Sequence, residues 1–453
     1  MGNSKAGTGG AAGAGAPLGP ELTGVDALTP APCKIAAEVT AAEAIPTVGI
    51  ATFTADLEGA THAIIQFGET VEYTLEAPVD WPAPEHRTLL LGMPADTEVH
   101  YRVVVFAGDT ACPGPDETFR TGTLPMGSPS NLTPTRGPST VAPAPGFIIA
   151  QTGNYAYVID RRGRVVWSYR FPFNVVRALL SWDARYMIAR DIGPFNAGSG
   201  GNIQRVALDG TGEMKLDVAG GTHHDVTAIP SGIAYPAKPE AGACDSLYVA
   251  DLDGSNSRAV VDLGVVFGKF KNGSGAAAME ECHVNAIRYY ADIDAFSLSD
   301  REKDAIAFVS SSGEILGSIG AEPIEATPNH VVAEGADSTA SSPWRVQHGH
   351  DWYENDKLVV WSNGTLIGGM SRLLHYTLSG ATATLDWQYS ATGNSPTLSD
   401  AQHLPNGNFL GTASQTGAVH EIDPQRQLVQ SFSGLSRGYT SHRTTFYGRP
   451  PGR

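Results

Sequence analysis

A short apolar strand, a polar turn carrying Asp, Ser or Gly, and a second β-rich strand recur six times after residue 145. No other feature limits the fold of this chain as strongly. The copies are Tyr157–Trp167, Gln204–Met214, Leu247–Gly254, Ala307–Leu316, His375–Gly380 and His420–Val429. Their spacing of about 45–65 residues is the length of a four-stranded propeller blade with insertions. Six copies predict an all-β, six-bladed β-propeller over residues 146–453, rather than seven blades. Its edge strands are protected only if the ring closes. The C-terminal Thr444–Tyr447 segment is expected to close it by pairing into the first blade.

At 453 residues the chain exceeds one ordinary core, so further domains are expected before the propeller. Residues 33–125 show period-two segments broken by Gly, Pro and Asp: Thr47–Ala55, Ala63–Phe67, Thr88–Leu91, Val99–Ala107 and Glu117–Thr121. Tyr101 falls just inside a strand after a turn, as in the tyrosine corner of an immunoglobulin-like sandwich. The region resembles a fibronectin type III domain, an Ig/fibronectin III-like β-sandwich. Residues 126–145 carry Gly, Ser, Asn and Pro and are expected to form a linker. Residues 1–32 open on a Gly/Ala-rich tether without the apolar core of a signal peptide. Such tethers follow the lipidated cysteine of surface lipoproteins. A lost lipid anchor and a periplasmic or extracellular surface location are therefore expected, with a natural disordered N-terminus as the alternative.

The formal charge of −17 argues against nucleic acid as a partner. An anionic small molecule would need a local nest of positive groups. No apolar run approaches the roughly 20 residues of a membrane span. Cys33 and Cys112 fall in one expected domain, and Cys244 and Cys282 in another, without a C-x-x-C pair. Two disulfides within domains and buried free thiols both remain open at this point.

No P-loop and no H-E-x-x-H motif is present. Gly434–Gly438 matches G-x-S-x-G, but it lies in a β region rather than on the strand–turn–helix such an elbow needs. Asp251–Gly254 is a blade turn rather than a calcium loop, lacking the later ligands. The histidines are unusual: seven of 13 lie in five short segments. Three of these pair imidazole with a polar neighbour between repeat copies: His223-His224-Asp225, His283-Val284-Asn285 and Gln347-His348-Gly349-His350. Asp225, Asn285 and Gln347 are expected to orient the rings. The bland alternative is hydrogen bonding between blades, which is the reading kept for His375, His403, His420 and His442. A zinc or copper site is a second functional reading, but no i, i+4 helical pair supplies ligands, so neither metal nor cofactor is expected.

These segments resemble the bacterial arylsulfate sulfotransferases, which move a sulfuryl group between phenols without a nucleotide donor. The resemblance covers about 300 residues. It is best at Thr222–Asp225, Cys282–Ile287 with Phe296–Arg301, Val346–Gly349 with Trp361–Gly364, and Asp400–Leu410. It implies His348 as nucleophile, with His350 two residues away as a competitor for that role. It also implies His224 (preferred to His223) and His283 as acid–base groups, and Arg301 on the sulfuryl oxygens. His223, Asn285, His350 and Asn363 are implied to bind substrate. Ser362 and Asp300 depart from the family's usual residues, and Asp300 could blunt the field of Arg301. The Asp400 segment is expected to carry no chemistry. Trp344, Trp352 and Trp361 could stack on an aryl ring, although blade cores are the expected home of at least two.

The chemistry fits. A neutral imidazole attacking sulfur splits the transfer into two steps through an N-sulfohistidine. A second imidazole protonates the departing phenolate, and an arginine binds the sulfuryl oxygens bidentately. The expected partners are an aryl sulfate and a phenolic acceptor. The rival function is a non-catalytic surface propeller whose axial pocket binds a ligand or partner. A third is an enzyme of the same scaffold with another donor or acceptor.

Overall fold

The computed structural model describes residues 22–25, 28–82, 85–191, 201–222, 224–239, 244–268, 270–272, 279–321, 324, 327–335, 343–364, 370–391, 393–435 and 438–450. It is nearly all β. The described residues contain one short helix, Leu263–Phe267, and one 3-10 turn, Ser414–Thr416. Neither is long and apolar enough to cross a membrane.

Two sheets form the N-terminal region. One orders Thr29–Pro30, Thr110–Pro113, Glu98–Ala107, His62–Gly68 and Leu75–Pro78, with Glu117–Arg120 also on Glu98–Ala107. The other is Ile35–Ala41, Gly49–Ala55 and His86–Leu90. Alternation along these strands points Ala51, Phe53, Ile65, Phe67, Val103 and Val105 into the shared core. The Cys33–Cys112 disulfide ties the first strands to this sheet. Tyr101 is buried, but its hydroxyl donates to Glu117 Oε2 at 2.7 Å rather than to backbone upstream. The tyrosine-corner contact is therefore replaced by a side-chain bond to the neighbouring strand.

The rest of the chain is β-propeller-like. Antiparallel strand groups follow one another, each with its first strand at a sheet edge: Arg177–Leu180, Thr227–Ile229, Val284–Tyr290, His350–Tyr353 and Asp400–His403. Ser441–Arg443 takes the same place on Phe147–Thr152. These groups pack side by side, the edge strand Arg177–Leu180 against Phe147–Thr152 and Thr227–Ile229, and Asp400–His403 against His350–Tyr353 and Ser441–Arg443. Closure of the first group thus falls on Ser441–Arg443, not on Thr444–Tyr447. Phe446 instead packs on Phe147, and the Tyr447 hydroxyl bonds Leu89 O and Leu91 N of the N-terminal region. One nine-stranded sheet joins two such groups through His330–Ala333, which runs parallel to both neighbours.

The recurring turn has a physical cause. Asp160, Asp209 and Asp423 accept backbone N–H groups of the turns that follow them, and Ser310 does so for Glu314. Gly163, Gly210, Gly254 and Gly313 sit at φ between 82° and 91°, where a β-carbon is disfavoured. The segment expected as a linker is docked: Thr135–Arg136 adds a strand to Leu428–Ser433, and Ala144 N donates to the buried Glu421. Likewise Thr29–Pro30, within the expected tether, pairs with Thr110–Pro113. Residues 1–21 lie outside the described residues.

Candidate active site

Residues just before three of these edge strands come together. His224 precedes Thr227–Ile229, His283 precedes Val284–Tyr290, and His348 precedes His350–Tyr353. These three imidazoles meet. His224 Nε2 lies 2.8 Å from His283 Nε2, and the His224 and His348 ring centroids are 5.8 Å apart. His224 adopts φ 60°, a strained conformation for a non-glycine residue that aims its ring inward.

His348 is 1% exposed. The Asn363 amide nitrogen donates to Leu398 O at 2.9 Å and also to Ser395 O, so its oxygen faces the ring. His348 Nδ1 lies 2.8 Å from that oxygen and 3.1 Å from Val346 O. Two acceptors on Nδ1 require a proton there, which leaves the lone pair on Nε2. Burial pulls the His348 pKa down to about 4, with the Arg301 charge adding to the fall and the Asn363 and Val346 bonds opposing it. The ring is therefore neutral at physiological pH. Asn363, expected to bind substrate, is the group that sets its tautomer.

The neighbours expected to orient imidazoles do other work. Gln347 donates to Asp300 O and Ser299 Oγ, and Asn285 donates to Gln347 O at 2.6 Å. These bonds pin the strand before His348 to its neighbour. Asn285 Oδ1 is buried without a hydrogen-bond partner. Asp225, two residues before its edge strand, enters a ring of four charges with residues of three other edge strands: Arg177 contacts Asp225 at 3.0 Å and Asp400 at 2.7 Å, while Arg288 contacts Asp225 at 3.1 Å and also Asp400. All four side chains are nearly inaccessible, so the ring is buried. Burial opposes the charge on Arg288, but Asp400 and Asp225 together raise its pKa above the ordinary arginine value. The sequence reading missed Arg177 and Arg288 and assigned the Asp400 segment no role. The signal was a lone arginine in an apolar edge strand, as in Arg177–Leu180.

Gly349 completes the local design: a β-carbon there would lie 2.2 Å from Asp400 Oδ1. Tyr439, also missed, is fully buried, donates to Asn285 O and stands 6.4 Å from His348 between ring centroids. Arg301 is partly exposed and pairs with Glu302, whose carboxylate also lies 3.7 Å from His283 Nδ1. Glu302, not Asp300, is thus the carboxylate on Arg301. Asp300 accepts backbone N–H groups of His283, Glu302 and Lys303, and burial raises its pKa to about 6.

His350 stands apart from the three rings, with Nε2 2.6 Å from Ser297 Oγ. His223 lies outside the described residues. Trp344 and Trp361 are buried in separate cores, and Trp352 lines a cavity apart from the rings, so none of the three flanks the histidines. His375 bonds Asp386 and Tyr353, and His442 bonds Pro145 O. The Cys244–Cys282 disulfide ends one residue before His283. Among the described residues, no group of three or more His, Cys, Asp or Glu is arranged to hold a metal ion.

No protein-family model matches the chain, and no curated protein matches it. Solved structures similar to it include a protein described as a 6-phosphogluconolactonase from Bacteroides uniformis, at 12% identity and TM-score 0.40, covering 64% of this chain and 83% of that one. A streptogramin B lyase is similar at 12% identity and TM-score 0.36, over 68% of this chain and 89% of that one. A virginiamycin B lyase from Staphylococcus aureus matches at 12% identity and TM-score 0.20, over 89% of this chain and all of that one.

Proposed function

We propose that this chain is an arylsulfate sulfotransferase: a six-bladed propeller preceded by a fibronectin III-like sandwich, acting outside the cytoplasm. The observation that carries the reading is the neutral His348, its Nδ1–H held by Asn363, beside the His224–His283 pair. Two disulfides support an oxidising compartment.

In the first step the His348 Nε2 lone pair attacks sulfur, the sulfur–aryl oxygen bond breaks, and the bond pair leaves with the phenolate oxygen. The His224–His283 pair acts as the acid in its singly protonated, imidazolium form, with the Glu302 carboxylate 3.7 Å from His283 Nδ1 as counter-charge, and on giving that proton to the leaving oxygen it becomes neutral. Arg301, near enough for its charge to act on His348, receives the sulfuryl oxygens, exchanging its bond to Glu302 for them. In the second step the acceptor phenol gives its proton back to the pair and takes the sulfuryl group, restoring neutral His348. The charge ring beneath holds the strands in register, and its net charge of zero adds no field against an anion.

The test is transfer from 4-nitrophenyl sulfate to phenol. Wild-type protein releases nitrophenolate only when an acceptor is supplied beyond the first turnover. His348→Asn, which keeps the Asn363 contact, is expected to lose at least about a thousandfold in turnover. An active His348→Asn protein refutes the nucleophile. A wild-type protein that never releases nitrophenolate refutes the activity and favours a ligand-binding propeller.

A further inference from the structure

Further along the same strands, past the charge ring, residues of the edge strands line a cavity of about 300 Å³. Arg177 and Gln402 form its floor, so the ring separates it from His348. Its walls are aromatic: Trp182, Tyr289, Trp352 and Tyr353. Those walls are braced before any ligand arrives. Trp182 meets Tyr289 edge-on at 5.7 Å, Trp352 packs edge-on against Phe308 at 5.1 Å, and Tyr353 stacks on His403 at 3.8 Å. Pre-formed apolar walls of this size suit a molecule of about a dozen non-hydrogen atoms.

Most polar groups around the cavity are already engaged, while Ser441 Oγ and Trp352 Nε1 are buried without a hydrogen-bond partner. Arg177 holds two carboxylates. Gln402 donates to Thr440 O and accepts from His442 N, and Asp351 accepts from His403 N. Arg443 donates to Gly448 O. Asp351 lines the wall, and Asp351, Glu354, Asp356 and Asp386 all act on the Tyr353 hydroxyl to raise its pKa, beyond the effect of burial. An anion entering here meets that acidic field, with Arg177 committed to two carboxylates and Arg443 bonded to Gly448 O.

We infer that this cavity is a binding site for a neutral aromatic molecule, such as a free phenol, and that it rejects the corresponding aryl sulfate. The cavity stands apart from the histidines, so its occupancy is independent of whether His348 transfers a sulfuryl group.

Titration calorimetry of the full chain with 2-naphthol tests it, with 2-naphthyl sulfate as the charged counterpart. Saturable 2-naphthol binding with a dissociation constant of about 10–500 μM is expected. Binding at this site weakens at least about tenfold in Trp182→Ala, which removes a wall, and in Ala228→Phe, which fills the cavity. The sulfate binds this site at least about tenfold more weakly. Transfer from 4-nitrophenyl sulfate, if the wild type has it, persists in both variants. A titration that neither folded variant alters, or 2-naphthyl sulfate binding here as tightly as 2-naphthol, overturns the inference.

Discussion

Single residues decide the electronic state of His348. Asn363 presents oxygen rather than nitrogen because its amide donates to backbone carbonyls, and that choice places the imidazole proton on Nδ1. Asn363→Ala removes the acceptor and frees the other tautomer. Turnover is expected to fall about 10- to 100-fold with a smaller change in KM, measured by steady-state transfer kinetics; unchanged kinetics would rule out Asn363 as the positioning group. Gly349→Ala should be more damaging than its size implies, because its β-carbon would strike Asp400 and push His348 from its partners. The histidine segments and their convergence were legible in the sequence, because three imidazoles recurred at matching places between repeats. The partner of His348 was not. Asn363, 15 residues further on, was singled out only as a substrate-binding group, because nothing local marks it as the partner of His348. The nearest candidates, Asp225, Asn285 and Gln347, were drawn into the ion ring and into backbone bonds.

At the scale of elements, the repeats and turns were readable because each Asp or Ser turn satisfies its own backbone locally. The closing strand was misplaced by a few residues, because pairing with Phe147–Ile149 depends on register across nearly 300 positions rather than on local pattern. The charge ring was invisible for a related reason. Arg288 and Asp400 are 112 residues apart and neither sequence neighbourhood marks the other. Breaking it should be costly: Asp225→Asn leaves a buried guanidinium underpaired and is expected to lose about 3–5 kcal/mol of stability in denaturant unfolding. A loss below about 1 kcal/mol would mean the ring does not hold the strands. The Cys244–Cys282 disulfide closes a 38-residue separation and ends beside His283. Replacing both cysteines by alanine should cost up to about 4 kcal/mol. Turnover should fall in the same variant, as His283 loosens. Retained stability would show that Asp245, which accepts Val284 N at 3.2 Å, holds this junction alone.

For the whole molecule, buried groups link stability to pH. Burial lowers the His348 pKa to about 4 and the His442 pKa to about 3, from 6.5. As the pH falls below about 6.5 the unfolded chain binds protons that these two folded sites refuse, so both reduce stability on acidification. Asp300 acts in the other sense: its carboxyl, raised from 3.8 to about 6, is penalised as an anion, and that penalty is relieved as the pH falls through 6. His442→Gln removes one of the two opposing sites without touching the histidine cluster. Between pH 7 and pH 5 its melting temperature should change less unfavourably than that of the wild type. Identical pH profiles would contradict the buried, neutral state of His442.

The most direct test of the account follows the sulfuryl group itself. Wild-type protein is incubated with 4-nitrophenyl sulfate without acceptor, quenched at alkaline pH, digested and analysed by mass spectrometry. The account predicts an adduct of about 80 Da on His348, lost when phenol is added before the quench. Nitrophenolate release with no adduct, or with the adduct on His350 or another residue, would contradict it.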